Sequence, residues 1–158
     1  MSGIRIMKIS GSSEFDRARK TTRHIHRQLA SLCLRKGDKG PEVLLVTSSS
    51  GRWILPKGWP MDDKKDPEAA LIEAWEEAGV RKGKAARKPV GAYQSVKQRN
   101  GRDEPCEVRV FAVKVAKTRK DYPEADERDR KWVSLGKASK AVDDKGLSRF
   151  LKDYAKSA

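Results

Sequence analysis

Residues 66–79 constrain the fold most, because the start, the end and the buried face of a helix can all be inferred from them. Asp66 followed by Pro67 is typical of a helix start, since Asp is a frequent N-cap residue and proline is tolerated at the first helical position. Gly79 fits the glycine that ends a helix in the left-handed conformation. At about 100° per residue, one face of this helix is apolar and predicts the stripe that packs on the core: Leu71, Trp75 and Ala78.

The opposite face of this helix carries three carboxylates, Glu73, Glu76 and Glu77, within an arc of roughly 100°. Like charges at this spacing cost about 0.2–0.5 kcal/mol per pair. Anions near a helix C-terminus cost about 0.3–1 kcal/mol each. A helix selected only for stability would carry lysine or arginine there, so the pattern predicts ligands for a metal. Oxygen ligands favour hard cations, which indicates Mg²⁺ or Mn²⁺.

Charge is distributed unevenly along the 158 residues, which carry 36 lysines and arginines against 22 acids, a net charge of +14. Residues 58–80 hold seven acids and two lysines, whereas residues 81–102 hold eight basic side chains and no acid. A strongly basic chain favours anionic partners such as nucleic acid, polyphosphate or a membrane surface. The acidic segment within a basic chain predicts a cation site flanked by anion sites.

The order of apolar and turn segments predicts an α+β fold with a mixed sheet and flanking helices. Residues 1–24 are expected to form a basic N-terminal arm, either flexible or with a short helix over 14–20, and residues 25–158 a single domain. The chain lacks a run of about 18 apolar residues, and no continuous apolar segment is found over 1–10, so neither a membrane span nor a secretory signal is expected. No membrane partner is expected. Cys33 and Cys106 predict reduced thiols in a cytoplasmic protein. Strands are predicted over 28–35, 42–47, 53–55, 89–98, 107–116 and 132–133, with a polar loop over 99–106 and a terminal helix around 147–154.

Residues 58–80 resemble a Nudix box, a signature of glycine, five residues, Glu, seven residues, then Arg-Glu-apolar-any-Glu-Glu-any-Gly-apolar. Two positions depart from it, since Lys64 stands where the family has Glu and Ile72 where it has Arg. The preceding segment, RWILPKG over 52–58, is also typical of the family. The positions in register are Gly58, Glu73, Ala74, Glu76, Glu77, Gly79 and Val80.

The resemblance implies an α/β/α sandwich over residues 25–158 and hydrolysis of a nucleoside diphosphate linked to another moiety, or of a related diphosphate. It implies that Glu73 and Glu77 ligate Mg²⁺, or alternatively Mn²⁺, and that Glu76 is the general base. The family often uses a further acid from a later loop. Glu124 and Glu127 fit that role, but we favour their interpretation as surface partners of Arg128 and Arg130.

Segment 42–58 resembles diphosphoinositol polyphosphate phosphohydrolases, which implies a substrate crowded with phosphates. The same motif occurs in diadenosine polyphosphate hydrolases and RNA 5′-pyrophosphohydrolases, so a dinucleoside polyphosphate or RNA remains open, as does an ADP-ribose or nucleotide-sugar substrate. A second hypothesis is a basic Nudix-like module that binds nucleic acid or phosphate without turnover. Trp59, Tyr93 and Phe111 could stack on a base, but we favour core positions for them. The expected substrate-binding residues are His26, Arg27, Ser48, Ser49, Arg52, Lys57, Lys97, Arg99 and Arg130.

Overall fold

The computed structural model describes residues 7–158, so residues 1–6 of the predicted arm lie outside the described residues. The described part forms one mixed sheet with helices packed against it, which confirms the predicted α+β class. The strands are β1 (Ile9–Ser10), β2 (His26–Gly37), β3 (Gly40–Thr47), β4 (Trp53–Ile54), β5 (Lys57–Gly58), β6 (Val80–Ala85), β7 (Gly91–Arg99), β8 (Arg102–Thr118) and β9 (Arg130–Ser134). The helices are α1 (Ser13–Arg19), α2 (Asp66–Ala78), α3 (Ala138–Ala141) and α4 (Lys145–Ser157), with a 3₁₀ turn at Leu135–Lys137.

The centre of the sheet is the parallel pair β2 and β8, in register from His26 opposite Cys106 to Leu34 opposite Lys114. Residues 28–33 of β2 are all buried, as expected for a strand that is covered on both faces. Leu147 and Leu151 of α4 join one core cluster with β2, β3 and β7. Helix α2 joins a second cluster with β2, β3, β6 and β8. The sheet therefore separates two helical layers.

Two polar segments, β6 and the connection between β7 and β8, take regular structure that was not predicted from the sequence. Strand β6 has only Val80 fully buried, so it is a charged edge strand without the apolar alternation that predicts a strand. The predicted loop over 99–106 is instead a tight hairpin, in which β7 and β8 are joined by Asn100 and Gly101. Both turn residues have positive φ, 51° and 75°, as a two-residue type I′ turn requires.

The described part of the predicted arm packs on the sheet. Strand β1 pairs in parallel with β7, and α1, in which Phe15 and Ala18 are buried, contacts β7 and β8. The Ser12 hydroxyl caps α1 by accepting a hydrogen bond from the Phe15 N–H. Within residues 7–158, no helix combines the length and the apolar character that crossing a bilayer requires.

Helix α2 differs from its prediction at its start and on its buried face. Its N-cap is Lys65, without a side-chain cap, so Asp66 is the first helical residue. Gly79 ends the helix with a φ of 71°, as predicted. Trp75 is only half-buried. The sheet-facing positions are mostly alanines, which let α2 lie so close to β2 that the Ser31 hydroxyl donates to the Ala70 carbonyl at 2.6 Å. The fully buried residues of α2 are Ala69, Ala70, Ala74, Glu77 and Ala78.

Candidate active site

A cleft of about 670 Å³ is bordered by α2, the β3–β4 turn, β5 and the β7–β8 hairpin. It brings together seven of the residues expected from the sequence, because the β5 segment runs beside α2 and leads the chain into the cleft. Its ionisable lining comprises four cations and five acids. The expected residues that line it are Ser48, Ser49, Arg52, Lys57, Glu73, Glu77 and Lys97.

Glu73 and Glu77 are one helical turn apart and share the inner wall of the cleft. The backbone N–H of Lys57 donates to Glu77 Oε1 at 3.3 Å. Burial raises the pKa of Glu77 to about 8, although the nearby Arg128 guanidinium lowers it. Burial is also the main cause of the raised pKa of Glu73, with repulsion from Glu76 adding to it. The structure therefore holds two carboxylates side by side in surroundings that disfavour their negative charge.

Gly58 explains how the Glu73 carboxylate reaches this position. A Cβ atom at residue 58 would lie 2.7 Å from Glu73 Oε2 and closer still to the carboxylate carbon. Only glycine leaves room for the carboxylate against the β5 backbone, which gives the glycine of the box a steric reason.

Arg128 is a site residue that the sequence reasoning treated only as a surface partner of an acid. It is 19% exposed and lines the cleft, where its Nη2 lies 3.8 Å from Glu77 Oε2. Its Nε donates to Glu124 Oε1 at 2.8 Å and its Nη1 donates to the Thr47 carbonyl at 2.7 Å. The predicted Glu124–Arg128 pair thus forms, but it joins the later loop to α2 and β3. The sequence signal for this contact was an arginine four residues after a glutamate. That spacing is also common on exposed surfaces, so it did not point to the cleft.

The carboxylates fit a divalent cation as a partial ligand set. Within the described residues, no three His, Cys, Asp or Glu side chains meet as a preformed metal site. Mg²⁺ is commonly held by one or two carboxylates, with water and substrate phosphates completing its octahedron. Glu73 and Glu77 provide two such ligands, and a cation between them would favour the ionised forms that burial disfavours.

The remaining acidic candidates lie away from the inner wall. Glu76 is half-buried and outside the cleft lining, and its carbonyl accepts a hydrogen bond from the Glu124 N–H at 3.0 Å. Glu124 is near enough to raise the pKa of both Glu73 and Glu77. Glu127 is exposed.

Four of the expected anion-binding residues also lie outside the cleft lining. His26 is buried and pairs with Glu104 at 3.0 Å. Arg27 and Arg99 are exposed and lie 3.6 Å and 4.0 Å from Glu107 and Glu104, respectively. Arg130 donates to the Ala78 carbonyl at 2.7 Å, so it satisfies one of the free carbonyls at the C-terminus of α2.

Trp59 is 43% exposed at the edge of the cleft, so the core position that we favoured for it is wrong. Lys97 Nζ lies 5.1 Å from its ring centroid, and the His26 ring meets it edge-on at 5.8 Å. Tyr93 and Phe111 are buried, as we favoured.

The basic run over 81–102 is divided between different surfaces. Lys97 lines the cleft, whereas Arg81, Lys82 and Lys84 lie on β6. These three residues lie on a different surface because β6 pairs with the C-terminal end of β8.

Comparison with known proteins finds one family and one fold. The NUDIX domain model matches residues 26–154. The chain is 35% identical to Nudix hydrolase 12, mitochondrial, of Arabidopsis thaliana over 118 residues, which cover 72% of this chain and 58% of that protein. It is 34% identical to mouse diphosphoinositol polyphosphate phosphohydrolase 3-alpha over 121 residues, which cover 73% of this chain and 68% of that protein. The chain spans between 45% and 58% of the length of the Arabidopsis relatives that it matches.

Solved structures share the fold at low sequence identity. A NUDIX hydrolase from Nitrosomonas europaea superposes with a TM-score of 0.63 at 16% identity, over 85% of this chain and 90% of that one. The Caenorhabditis elegans Ap4A hydrolase binary complex superposes with a TM-score of 0.59 at 18% identity, over 84% and 97% of the two chains.

Proposed function

Since the chain belongs to the NUDIX family, we propose that it hydrolyses a diphosphate bond in a highly anionic small molecule, with Mg²⁺ or Mn²⁺ held by Glu73 and Glu77. The adjacent, partly buried carboxylates in the cleft carry this proposal. Burial disfavours the ionised forms of both carboxylates, so their position in the cleft is best explained by a bound cation. One divalent cation held by them would stabilise the ionised forms and attract phosphate oxygens.

The residues of the cleft divide the proposed reaction between them. A bound divalent cation would polarise the phosphate oxygens and lower the pKa of water. Lys57 and Arg52 would hold phosphate oxygens, Arg52 as a two-pronged donor and Lys57 as a point charge. Ser48 and Ser49 would add hydroxyl donors at the β3–β4 turn.

Two acids compete for the role of general base, which takes a proton from the attacking water. Glu76 is our sequence-based choice, and its charge acts on the pKa of Glu73. Glu124 acts on the pKa of both Glu73 and Glu77, and its backbone N–H bonds to the Glu76 carbonyl. We retain Glu76 as the base and treat Glu124 as the alternative.

The first test measures phosphate release with Mg²⁺ from a panel of a diphosphoinositol polyphosphate, a dinucleoside polyphosphate, ADP-ribose, a nucleotide sugar and RNA with a 5′-triphosphate. Glu73→Gln and Glu77→Gln should each lower turnover at least about a hundredfold, since a misplaced or missing charge at the reacting centre costs that much. The exposed Glu127→Gln variant is the matched control. Unchanged turnover in both cleft variants would remove the site, and a chain that binds the panel without turnover would support the non-catalytic module.

Comparing Glu76→Gln with Glu124→Gln identifies the general base. Loss of a general base lowers the rate by about 10²–10⁴-fold. Our proposal expects this loss in Glu76→Gln and a smaller one in Glu124→Gln, and the reverse order would transfer the role to Glu124.

Within the panel, the cleft supports two substrate classes. The cleft favours a substrate with many phosphates through three of its cations, Arg52, Lys57 and Lys97. If the substrate is of this class, Lys57→Ala should raise the KM for the polyphosphate more than the KM for ADP-ribose. The exposed ring of Trp59, beside Lys97, favours a nucleoside that stacks on it, which makes a dinucleoside polyphosphate the second candidate. Trp59→Leu should then raise the KM for the dinucleoside polyphosphate and leave the KM for the diphosphoinositol polyphosphate unchanged. An equal rise in both KM values would exclude stacking on Trp59.

A reducing compartment such as the cytoplasm is part of the proposal. Cys33 and Cys106 are both free and buried, and burial raises their pKa values to about 12 and 11. Thiols of this kind remain protonated and do not need a partner cysteine.

A further inference from the structure

A second basic surface lies at the edge of the sheet where β6 pairs with the C-terminal half of β8. We call it the basic strip. Its cations are all exposed, and among residues 7–158 none of them takes part in an ion pair. They are Arg81, Lys82, Lys84, Lys114, Lys117, Arg119 and Lys120.

The register of the two strands pairs like charges across the ladder. Lys84 faces Lys114 in regular register, and Lys82 pairs with Lys117 where the register shifts. Opposite charges across an antiparallel pair stabilise a sheet, and like charges there destabilise it. Glutamate at either position of each pair would remove the repulsion, so stability alone does not account for four lysines in this arrangement.

Two depressions are lined in part by cations of the basic strip. One, of about 550 Å³, is lined by Trp75, Arg81 and residues 117–121, and Asp121 is its single acid. The other, of about 380 Å³, combines Lys84 and Lys114 with an apolar floor that includes Ala85 and Ala112. Arg81 lies 5.7 Å from the Trp75 ring centroid.

The basic strip is separate from the catalytic cleft. No residue lines both the cleft and either depression. Trp75 lies two residues after Glu73 and two before Glu77, so at 100° per residue it points to the opposite side of α2. An anion bound on the strip would therefore leave the cleft accessible.

We propose that the basic strip binds the phosphodiester backbone of a nucleic acid. Rows of unpaired lysines and arginines supply the sequence-independent part of such binding, and Trp75 lies where a base could stack beside them. A membrane surface is disfavoured, because amphipathic surfaces insert apolar side chains. The large exposed apolar residues of the described chain are Ile9, Trp59 and Val90, and none of them lines the two depressions.

The test measures the fluorescence anisotropy of a labelled single-stranded RNA across a salt series. The RNA has a 5′-hydroxyl end and the buffer contains EDTA, so neither a terminal diphosphate nor a metal ion can bring the RNA into the cleft. The strip variant carries Lys84→Glu and Lys117→Glu. Its affinity should fall at least about tenfold, and the slope of log K against log salt should decrease by about 1.4, or roughly 0.7 for each lost phosphate contact. The matched control, Lys36→Glu with Lys39→Glu, makes the same charge change on the exposed β2–β3 hairpin and should leave the slope nearly unchanged.

A stability measurement separates lost binding from lost folding. Each strip substitution places a glutamate opposite a lysine, Lys84→Glu opposite Lys114 and Lys117→Glu opposite Lys82, so the Tm of the variant should equal or exceed that of the parent. Hydrolysis of the best small substrate of the panel should be unchanged. Three outcomes would overturn the proposal: equal weakening in strip and control variants, wild-type RNA affinity in the strip variant, or stronger binding to phosphatidylcholine–phosphatidylserine vesicles than to RNA.

Discussion

Gly58→Ala tests the arrangement of the cleft more selectively than removing a carboxylate. The added Cβ would lie 2.7 Å from Glu73 Oε2, whereas ordinary contact begins at 3.4 Å. That oxygen must therefore move by at least about 0.7 Å, and the carboxylate carbon by more. Gly58 does not have a positive φ, so the substitution acts through this collision and not through backbone strain.

The expected losses of activity and of stability differ greatly in size. A misplacement of about 1 Å at a reacting centre costs about a hundredfold in rate, which is about 2.7 kcal/mol in the activation free energy. The free energy of unfolding should fall by no more than about 1 kcal/mol, the low end of overpacking costs, because a side-chain end can rotate away. Burial also disfavours the ionised carboxylate in its present position, so moving it outward is tolerated.

The assay compares kcat/KM at saturating Mg²⁺ with urea unfolding for the parent, Gly58→Ala and Gly136→Ala. Gly136 is the matched control, since the nearest atom to a Cβ there is Ser134 Oγ at 4.0 Å. We expect a loss of about a hundredfold in Gly58→Ala and less than about twofold in Gly136→Ala. A Gly58→Ala enzyme with parental kcat/KM would refute the reasoning that the Glu73 carboxylate must occupy this position.

Three further predictions concern the contacts around the cleft. Arg128→Met should lower the free energy of unfolding by about 1.5–3 kcal/mol in urea titrations. The substitution removes charged hydrogen bonds and leaves Glu77 without its neighbouring guanidinium. An unchanged free energy of unfolding would show that these contacts do not stabilise the fold. Gly79→Ala should cost about 1–3 kcal/mol in the same assay, since φ is 71° and a Cβ would lie 2.8 Å from a backbone carbonyl. A hydrogen bond with His26 lowers the pKa of Glu104 in the folded protein. The ionised Glu104 therefore stabilises the folded state at neutral pH, and this contribution is lost as the pH falls through the lowered pKa. Unfolding midpoints measured over acidic pH should depend less on pH in Glu104→Gln, and parallel curves would contradict this.

The sequence predicts the elements that bury apolar side chains and fails where polar residues take regular structure. Strand β2 and helix α4 follow from apolar spacing. Strand β6 is held by pairing with β8 while exposing its lysines, so its burial pattern carries almost no signal. The dipeptide Asn100-Gly101 is typical of a two-residue hairpin turn and could have predicted this hairpin. The polar residues on both sides of it favoured a loop instead.

At the site, the sequence predicts which elements come together more reliably than it predicts which side chains contact each other. The box places Glu73 and Glu77 on α2 beside Lys57, and the structure agrees. Arg128 could not be assigned to the cleft from the sequence, since its role depends on the path of the 119–129 loop back to α2. The face of α2 was also misjudged, because an alanine-rich surface can pack closer to a sheet than a tryptophan.

The parallel pairing of β2 with β8 has a consequence for how the chain acquires its structure. Every partner in that ladder lies 80 positions further along, from His26 with Cys106 to Leu34 with Lys114. Contacts of such high order slow folding, because the entropy of closing a long loop is lost before the contact forms. During synthesis, the apolar strand β2 therefore has no central neighbour until residues 106–114 have left the ribosome. Over that interval it depends on its hairpin with β3 for protection from aggregation.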